Sequence, residues 1–143
     1  KKQDDNYVIT KNIIQQLISL QDGVEALIIR TLPNFHDKLH KNYTNTNPPF
    51  LLKEAAEYIA HIGVKHLLVD LPSVDKEKDN GTLFSHKAFW GYPTNLRKEC
   101  TITELIYVDN KIADGYYLLN LQFSPFENDA APSRPIIFEL VQC

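Results

Sequence analysis

The chain has 143 residues, of which 43% are apolar and 23% are charged, and its formal net charge is −3. This composition is typical of a globular chain that can bury a hydrophobic core, and it excludes a disordered polymer. No apolar run approaches the roughly 18 residues of a spanning helix, and no basic stripe is present, so we expect neither a membrane partner nor a nucleic-acid partner.

The two cysteines, Cys100 and Cys143, are too few for a disulfide framework and do not form a C-x-x-C motif. No signal-peptide pattern opens the sequence, so we expect a cytoplasmic setting. The sequence contains no methionine and begins with a polar stretch. We expect residues 1–143 to form a single domain that is the C-terminal portion of a longer chain.

The first element along the chain is a predicted helix. Thr10 is a suitable N-cap, and Gly23 is the predicted end of the helix. The apolar residues that share one face at helical spacing are Ile13, Ile14, Leu17, Ile18 and Leu20.

A strand–helix–strand unit follows. Val24–Thr31 and Val64–Leu71 are apolar, branched runs of strand length. Between them, the apolar stripe of Pro49–Ile62 predicts a helix with Asn47 as its cap. Because strands joined in this way are parallel, we predict an α/β fold with a mixed sheet and helices outside.

Polar side chains crowd the carboxyl end of the second strand. Pro72 cannot donate to a sheet and ends the strand. Ligands of open α/β sheets bind beyond the carboxyl ends of the strands. We therefore expect a site at this edge, with His86 above it, formed by Arg30, Thr31, Asp70, Ser73 and Asp75.

The second half predicts a short helix over Thr82–Gly91 and a strand over Thr101–Val108. On that strand Glu104 shares a face with apolar residues, so it must be paired, bind a metal or face solvent. Two further strands, Tyr116–Phe123 and Arg134–Val141, are expected to complete the sheet.

The connection between Phe35 and Pro49 carries His36 and His40, four residues apart. On a helix this spacing places two imidazoles on one face, as a zinc pair requires. The surrounding residues are polar and no third ligand is nearby, which favours ordinary solvated histidines. A connection of this length also leaves open a loop that covers a substrate.

Four segments together resemble the later half of the cyclase family of metal-dependent hydrolases, which includes kynurenine formamidase and isatin hydrolase. These segments are VDLPSVD, FSHKAFWG, TITELIYVD and YYLLNLQFSPFENDAAPSRPIIFEL. The resemblance extends from about Tyr7 to about Leu140. The metal motif of the family, H-x-G-T-H-x-D-x-P-x-H, does not occur in the 143 residues.

The resemblance implies the swivelling β/β/α fold of that family and a site for Zn²⁺ or Mn²⁺. His86 and Glu104 match the positions of two metal ligands. Their separation, 104 − 86 = 18 residues, is wider than the usual gap, and the excess falls in 92–99. Ser73 and Asp75 either steady their own loop or orient His86.

The expected activity of the intact protein is metal-dependent hydrolysis of an amide or cyclic amide bond. A bound divalent ion lowers the pKa of a water and polarises a carbonyl group. The resemblance implies an arylformamide of the formylkynurenine type as the small-molecule substrate, with Phe89 and Trp90 as an apolar wall or as core residues. No residue of this chain is predicted to act as a nucleophile.

A homodimer or higher homo-oligomer is also expected. The alternative function is a non-catalytic scaffold or dimerisation domain without a complete metal site.

Overall fold

The computed structural model describes residues 1–19, 21 and 23–141. The chain divides into two compact units, Lys1–Tyr107 and Val108–Cys143. The first unit contains six strands, three α-helices and one 3₁₀ helix among its described residues, and the second contains one β-hairpin. No helix within the described ranges has the length and apolarity needed to cross a membrane.

A parallel sheet forms the centre of the first unit. Its strands lie in the order β3 (Ala26–Ile29), β5 (His66–Val69) and β6 (Thr101–Thr103), all parallel. Three of the four β5 residues are completely buried, as expected for a strand covered on both faces. The predicted parallel pairing of the two apolar runs is therefore confirmed.

Helix α2 (Lys53–His61) connects the first two of these strands and supplies much of the core. Its buried face carries Ala55, Ala56 and Ile59, which pack with residues of β5 and the segment after it. The helix begins four residues later than the predicted Pro49. Phe50–Leu51 forms strand β4 instead, because it pairs in parallel with Val8–Ile9.

The predicted cap at Asn47 is wrong for the same reason. Asn47 has a positive φ of 49°, and its backbone N–H donates to Glu77 Oε2 at 3.0 Å. Leu52 occupies the N-cap position of α2, without a side-chain cap. Long-range pairing of the preceding strand thus overrides a local capping signal.

A second small sheet contains β1 (Lys2–Gln3), β2 (Asn6–Ile9) and β4. Helix α1 (Lys11–Leu17) follows, with the Thr10 side chain accepting from the Ile13 N–H as predicted. The helix ends six residues before Gly23. Leu17 is 78% exposed, so the predicted apolar face is buried chiefly at Ile14. Leu20 lies outside the described residues.

Helix α3 (Phe84–Trp90) lies within the predicted range 82–91. Strand β6, by contrast, ends at Thr103 rather than at Val108. Leu105 adopts a positive φ of 57°, and its N–H donates to the Leu71 carbonyl at 2.9 Å. This turn brings the chain over the end of β5, so Glu104 lies just beyond a strand and not on a strand face.

The second unit is a hairpin of β7 (Tyr117–Asn120) and β8 (Ile136–Glu139), which pair antiparallel. Both strands are shorter than predicted. Among the described residues β8 pairs with β7 alone, so the expectation that it completes the central sheet is wrong. The predicted α/β class is confirmed, since the described residues contain both parallel and antiparallel strand pairs together with three α-helices.

Candidate metal centre

The candidate centre begins with the way Asp75 fixes the first turn of α3. Asp75 is buried after β5, and its carboxylate accepts from the N–H groups of Ser85 at 2.6 Å and His86 at 3.1 Å. These are free donors of a helix start, and a carboxylate there is also favoured by the helix dipole. The chain itself therefore places His86 directly beside Asp75.

The same carboxylate contacts the imidazole ring. Asp75 Oδ2 lies 2.7 Å from His86 Nδ1, which fixes Nδ1 as the protonated nitrogen when the ring is neutral. The other nitrogen, Nε2, lies 3.4 Å from Glu104 Oε1. That oxygen also accepts from the Val74 N–H at 2.8 Å. Asp75, His86 and Glu104 thus form a continuous chain of two carboxylates and one imidazole.

The charges of this chain shift two pKa values in opposite directions. Burial lowers the pKa of His86, but the hydrogen bond to Asp75 and the charges of Glu104 and Asp75 outweigh it, and the net effect is a raised pKa. Burial raises the pKa of Asp75, whereas its hydrogen bonds from His86 and Ser85 lower it, and the net effect is a lowered pKa. The two carboxylates therefore stabilise the protonated form of the His86 ring relative to a free imidazole.

The donor set fits two positions of a divalent metal site. A neutral imidazole nitrogen and a carboxylate oxygen suit Zn²⁺ or Mn²⁺, and a carboxylate on the other ring nitrogen is the usual means of orienting such a histidine. Across the described residues, no group of three or more histidine, cysteine, aspartate or glutamate side chains could hold a metal. Two ligands are too few for a tight zinc site, so this chain fits part of a site.

The remaining predicted residues divide between loop and core. Ser73 Oγ accepts from the Asp75 N–H at 3.1 Å, which steadies the loop that carries Asp75. The Trp90 ring is partly buried and lies 5.3 Å from the His86 ring. Phe89 has no exposed surface and packs in the hydrophobic core, which agrees with the core alternative for this residue.

Asp70 and Thr31 do meet at the sheet edge, but in a separate cluster. Asp70 accepts from the Thr31 N–H at 2.8 Å and from Thr31 Oγ1 at 3.0 Å. Lys38 Nζ lies 2.7 Å from Asp70 Oδ2 and also donates to the carbonyl and hydroxyl oxygens of Thr31. Sequence reasoning missed Lys38, which is one of many surface-type lysines in a polar connection until the fold brings it to Asp70.

The two histidines of that connection do not form a metal pair with a third ligand in the described structure. They open and close a 3₁₀ helix, His36–His40, and the His36 ring lies edge-on to Tyr107 at 6.1 Å. The interpretation as ordinary histidines is consistent with this geometry.

Comparison with known proteins identifies the family. The family model described as "Putative cyclase" matches residues 1–76, more than half of the chain. Kynurenine formamidases of Bacillus cytotoxicus and Bacillus anthracis are 29% and 30% identical over 116 and 120 residues. Each match covers 81% of this chain and 50% of the relative, so the chain spans about half the length of these curated relatives.

Two solved structures share the fold. A potential metal-dependent hydrolase with cyclase activity superimposes with a TM-score of 0.71 at 19% identity, covering 96% of this chain and 61% of the other. A predicted metal-dependent hydrolase from Bacillus stearothermophilus gives a TM-score of 0.60 at 20% identity, covering 92% and 57%. The sequence match and the shared fold lead to one conclusion: the chain belongs to the cyclase family.

Proposed function

We propose that the intact protein is a divalent-metal-dependent hydrolase of amide bonds, and that this chain supplies His86 and Glu104 as metal ligands. The observation that carries the proposal is the convergence of His86 Nε2 and Glu104 Oε1 at 3.4 Å, with the opposite ring nitrogen held by Asp75. Ion pairs of histidine and glutamate also occur as purely structural contacts. The support for the ligand role is the similarity to kynurenine formamidases over 81% of the chain, together with a fold shared with a potential metal-dependent hydrolase.

Two residues beside the proposed ligands each have a distinct role in this proposal. Asp75 keeps the proton of a neutral His86 on Nδ1, which leaves the Nε2 lone pair for a metal. Val74 holds the Glu104 carboxylate through its backbone N–H and limits its rotation. A divalent ion, when bound, lowers the pKa of a water and polarises a carbonyl group. Among the described residues the chain supplies these two ligands, so the proposed site requires further ligands.

The proposed substrate class is an arylformamide of the formylkynurenine type. The support is the similarity to kynurenine formamidases. Trp90 lies against the His86 ring with part of its surface exposed, and we assign it the contact with an aryl group near the ligands. Zn²⁺ and Mn²⁺ are both consistent with an imidazole and carboxylate donor set.

The test is metal analysis of the purified intact protein and of His86→Ala and Glu104→Ala, with Lys78→Ala in an exposed loop as the control. We expect about one or two metal ions per chain in the wild type, reduced occupancy in both ligand variants, and wild-type occupancy in the control. Unchanged stoichiometry in both ligand variants would refute the assignment.

Activity provides a second measurement. The intact protein is expected to hydrolyse N-formylkynurenine in a chelator-sensitive reaction, while the 143-residue chain alone is expected to show no turnover because it supplies two ligands. An intact protein that folds but neither binds metal nor hydrolyses formamides would instead support the non-catalytic scaffold. Sedimentation of the same preparation tests the proposed homo-oligomer.

A further inference from the structure

The segment between the two proposed ligands has a defined structure. Helix α3 ends at Gly91, which adopts a positive φ of 67°. The Asn95 N–H donates to the Gly91 carbonyl at 2.8 Å, and a Cβ on Gly91 would lie 2.3 Å from the Asn95 carbonyl oxygen. Only glycine fits this close approach, so the chain leaves α3 in a tight loop.

Arg97 is the side chain that fastens this loop to the rest of the unit. Its guanidinium donates from Nη1 to the Phe89 carbonyl at 2.7 Å and from Nη2 to the Val64 carbonyl at 2.5 Å. The guanidinium carbon also lies 4.9 Å from the centre of the Phe89 ring, in cation–π contact. One planar group therefore binds the last turn of α3 and the residue two positions before β5.

The backbone of Arg97 continues the same connection toward β6. Its N–H donates to the Trp90 carbonyl at 2.9 Å, and its carbonyl accepts from the Cys100 N–H at 3.1 Å. The Cys100 carbonyl in turn accepts from Trp90 Nε1 at 3.2 Å. The next residue, Thr101, is the first of β6 and pairs with His66.

These contacts join the two elements that carry the proposed ligands. His86 lies three residues before Phe89 on α3, and Glu104 follows β6 directly. The guanidinium of Arg97 ties α3 to Val64, two residues before β5, and β6 pairs with β5 itself from Thr101, four residues after Arg97. The loop at 92–99 is thereby held at both ends, and Glu104 Oε1 lies 3.4 Å from His86 Nε2.

We propose that Arg97 is a positioning residue that sets the separation of His86 and Glu104. The inference rests on the proposed function, because it assigns a consequence for metal binding to a residue that does not touch the metal. The role requires the planar fork of arginine, since lysine has a single ammonium head and cannot reproduce two parallel donors and the ring contact.

The experiment compares four variants of the intact protein: Arg97→Ala, Arg97→Lys, Lys98→Ala and Ile14→Ala. Lys98 is the exposed neighbour of Arg97, and Ile14 is a buried residue of α1 whose truncation is expected to destabilise the fold. The affinity for Zn²⁺ is measured by competition with a chelator. Amide hydrogen exchange at Leu105 and Ile106 is measured without metal, since these N–H groups hold the turn at Glu104 through the carbonyls of Leu71 and Val69.

We expect Arg97→Ala to weaken Zn²⁺ binding about tenfold or more, in the range seen when residues behind metal ligands are removed. Arg97→Lys should give an intermediate loss. Both should increase exchange at Leu105 and Ile106 more than Ile14→Ala does at equal global stability. Lys98→Ala and Ile14→Ala should retain wild-type affinity in the folded protein.

Three outcomes overturn a part of this scheme. Equal losses of affinity in Arg97→Ala and Ile14→Ala would show general destabilisation and refute the positioning role. Unchanged affinity in Arg97→Ala, alongside a loss in His86→Ala, would refute the inference and leave the proposed function intact. Unchanged affinity in His86→Ala would refute the proposed function and with it the metal-related role of Arg97, while the exchange data would still decide whether Arg97 holds the turn.

Discussion

Two buried aspartates follow the same strand, five residues apart, and their surroundings differ in one decisive respect. Asp70 has no exposed side-chain surface and is surrounded by Thr31 and Lys38, which donate three hydrogen bonds to it. Lys38 in turn directs its ammonium group to Asp70 and to two oxygens of Thr31. The ion pair of Lys38 and Asp70 therefore neutralises both charges within the fold.

Asp75 also accepts several hydrogen bonds, but its partner His86 contacts a second carboxylate. It holds one nitrogen of His86, and the other nitrogen faces an oxygen of Glu104. Two good metal donors thus face each other, and only a proton or a cation can join them favourably. A buried carboxylate alone therefore does not distinguish the two clusters; the pairing of the His86 ring with the Glu104 carboxylate does.

The largest expected effect concerns the Asp70 cluster. Asp70→Ala should lower the free energy of unfolding by about 3–5 kcal/mol, because it leaves the largely buried ammonium of Lys38 without its counter-ion. Metal affinity of the folded protein should change little. Denaturant unfolding and chelator competition measure the two quantities. A double variant, Lys38→Met with Asp70→Ala, should lose less than the sum of the single variants.

A core truncation tests whether lost stability by itself weakens metal binding. Leu67→Ala in β5 should cost on the order of 2–4 kcal/mol, because the side chain is completely buried. Lys78→Ala, in an exposed loop, should be near neutral. Both are expected to keep wild-type metal affinity at temperatures where they are folded. Much weaker metal binding in Leu67→Ala would show that lost stability alone lowers metal affinity, and would contradict the separate roles of the two clusters.

Asp75→Asn should weaken metal binding more than it lowers the free energy of unfolding, the reverse of Asp70→Ala. The amide keeps the size of the side chain but removes the negative charge that orients the His86 ring and raises its pKa. We therefore expect roughly 10- to 100-fold weaker metal binding in the intact protein. Glu57→Gln on the exposed face of α2 is the matched carboxylate-to-amide control. A wild-type dissociation constant for the metal in Asp75→Asn would show that Asp75 only caps α3 and does not contribute to metal binding.

The smallest expected effect is the pH dependence of the metal-free protein. Because the pKa of folded His86 is raised, the protonated ring stabilises the fold fully below the unfolded value of about 6.5, and this stability is lost as the pH rises through the folded pKa. Metal binding should strengthen over the same window, because the metal and the proton compete for Nε2. His86→Asn should remove this part of the pH dependence of the melting temperature. An unchanged profile would contradict the geometry.

The sequence by itself determined the elements whose signals are local. The apolar runs at 26–29 and 66–69 specify buried strands, because such side chains have no other favourable place, and their connection makes them parallel. The cap at Thr10 and the glycine at 91 likewise act on their own turns. The place of His86 on a short helix after the Pro72 turn also follows from the sequence.

Tertiary structure alone decided what depends on residues distant in the chain. Phe50–Leu51 became a strand because Val8–Ile9 was available to pair with it, although its local sequence favoured a helix start. Glu104 lies outside β6 because the N–H of Leu105 donates to the Leu71 carbonyl and turns the chain. In this position the Glu104 carboxylate contacts Val74 and His86. Hydrogen bonds and ion pairs across 18 to 40 residues form only after the core has brought their partners together, so no local pattern could reveal them.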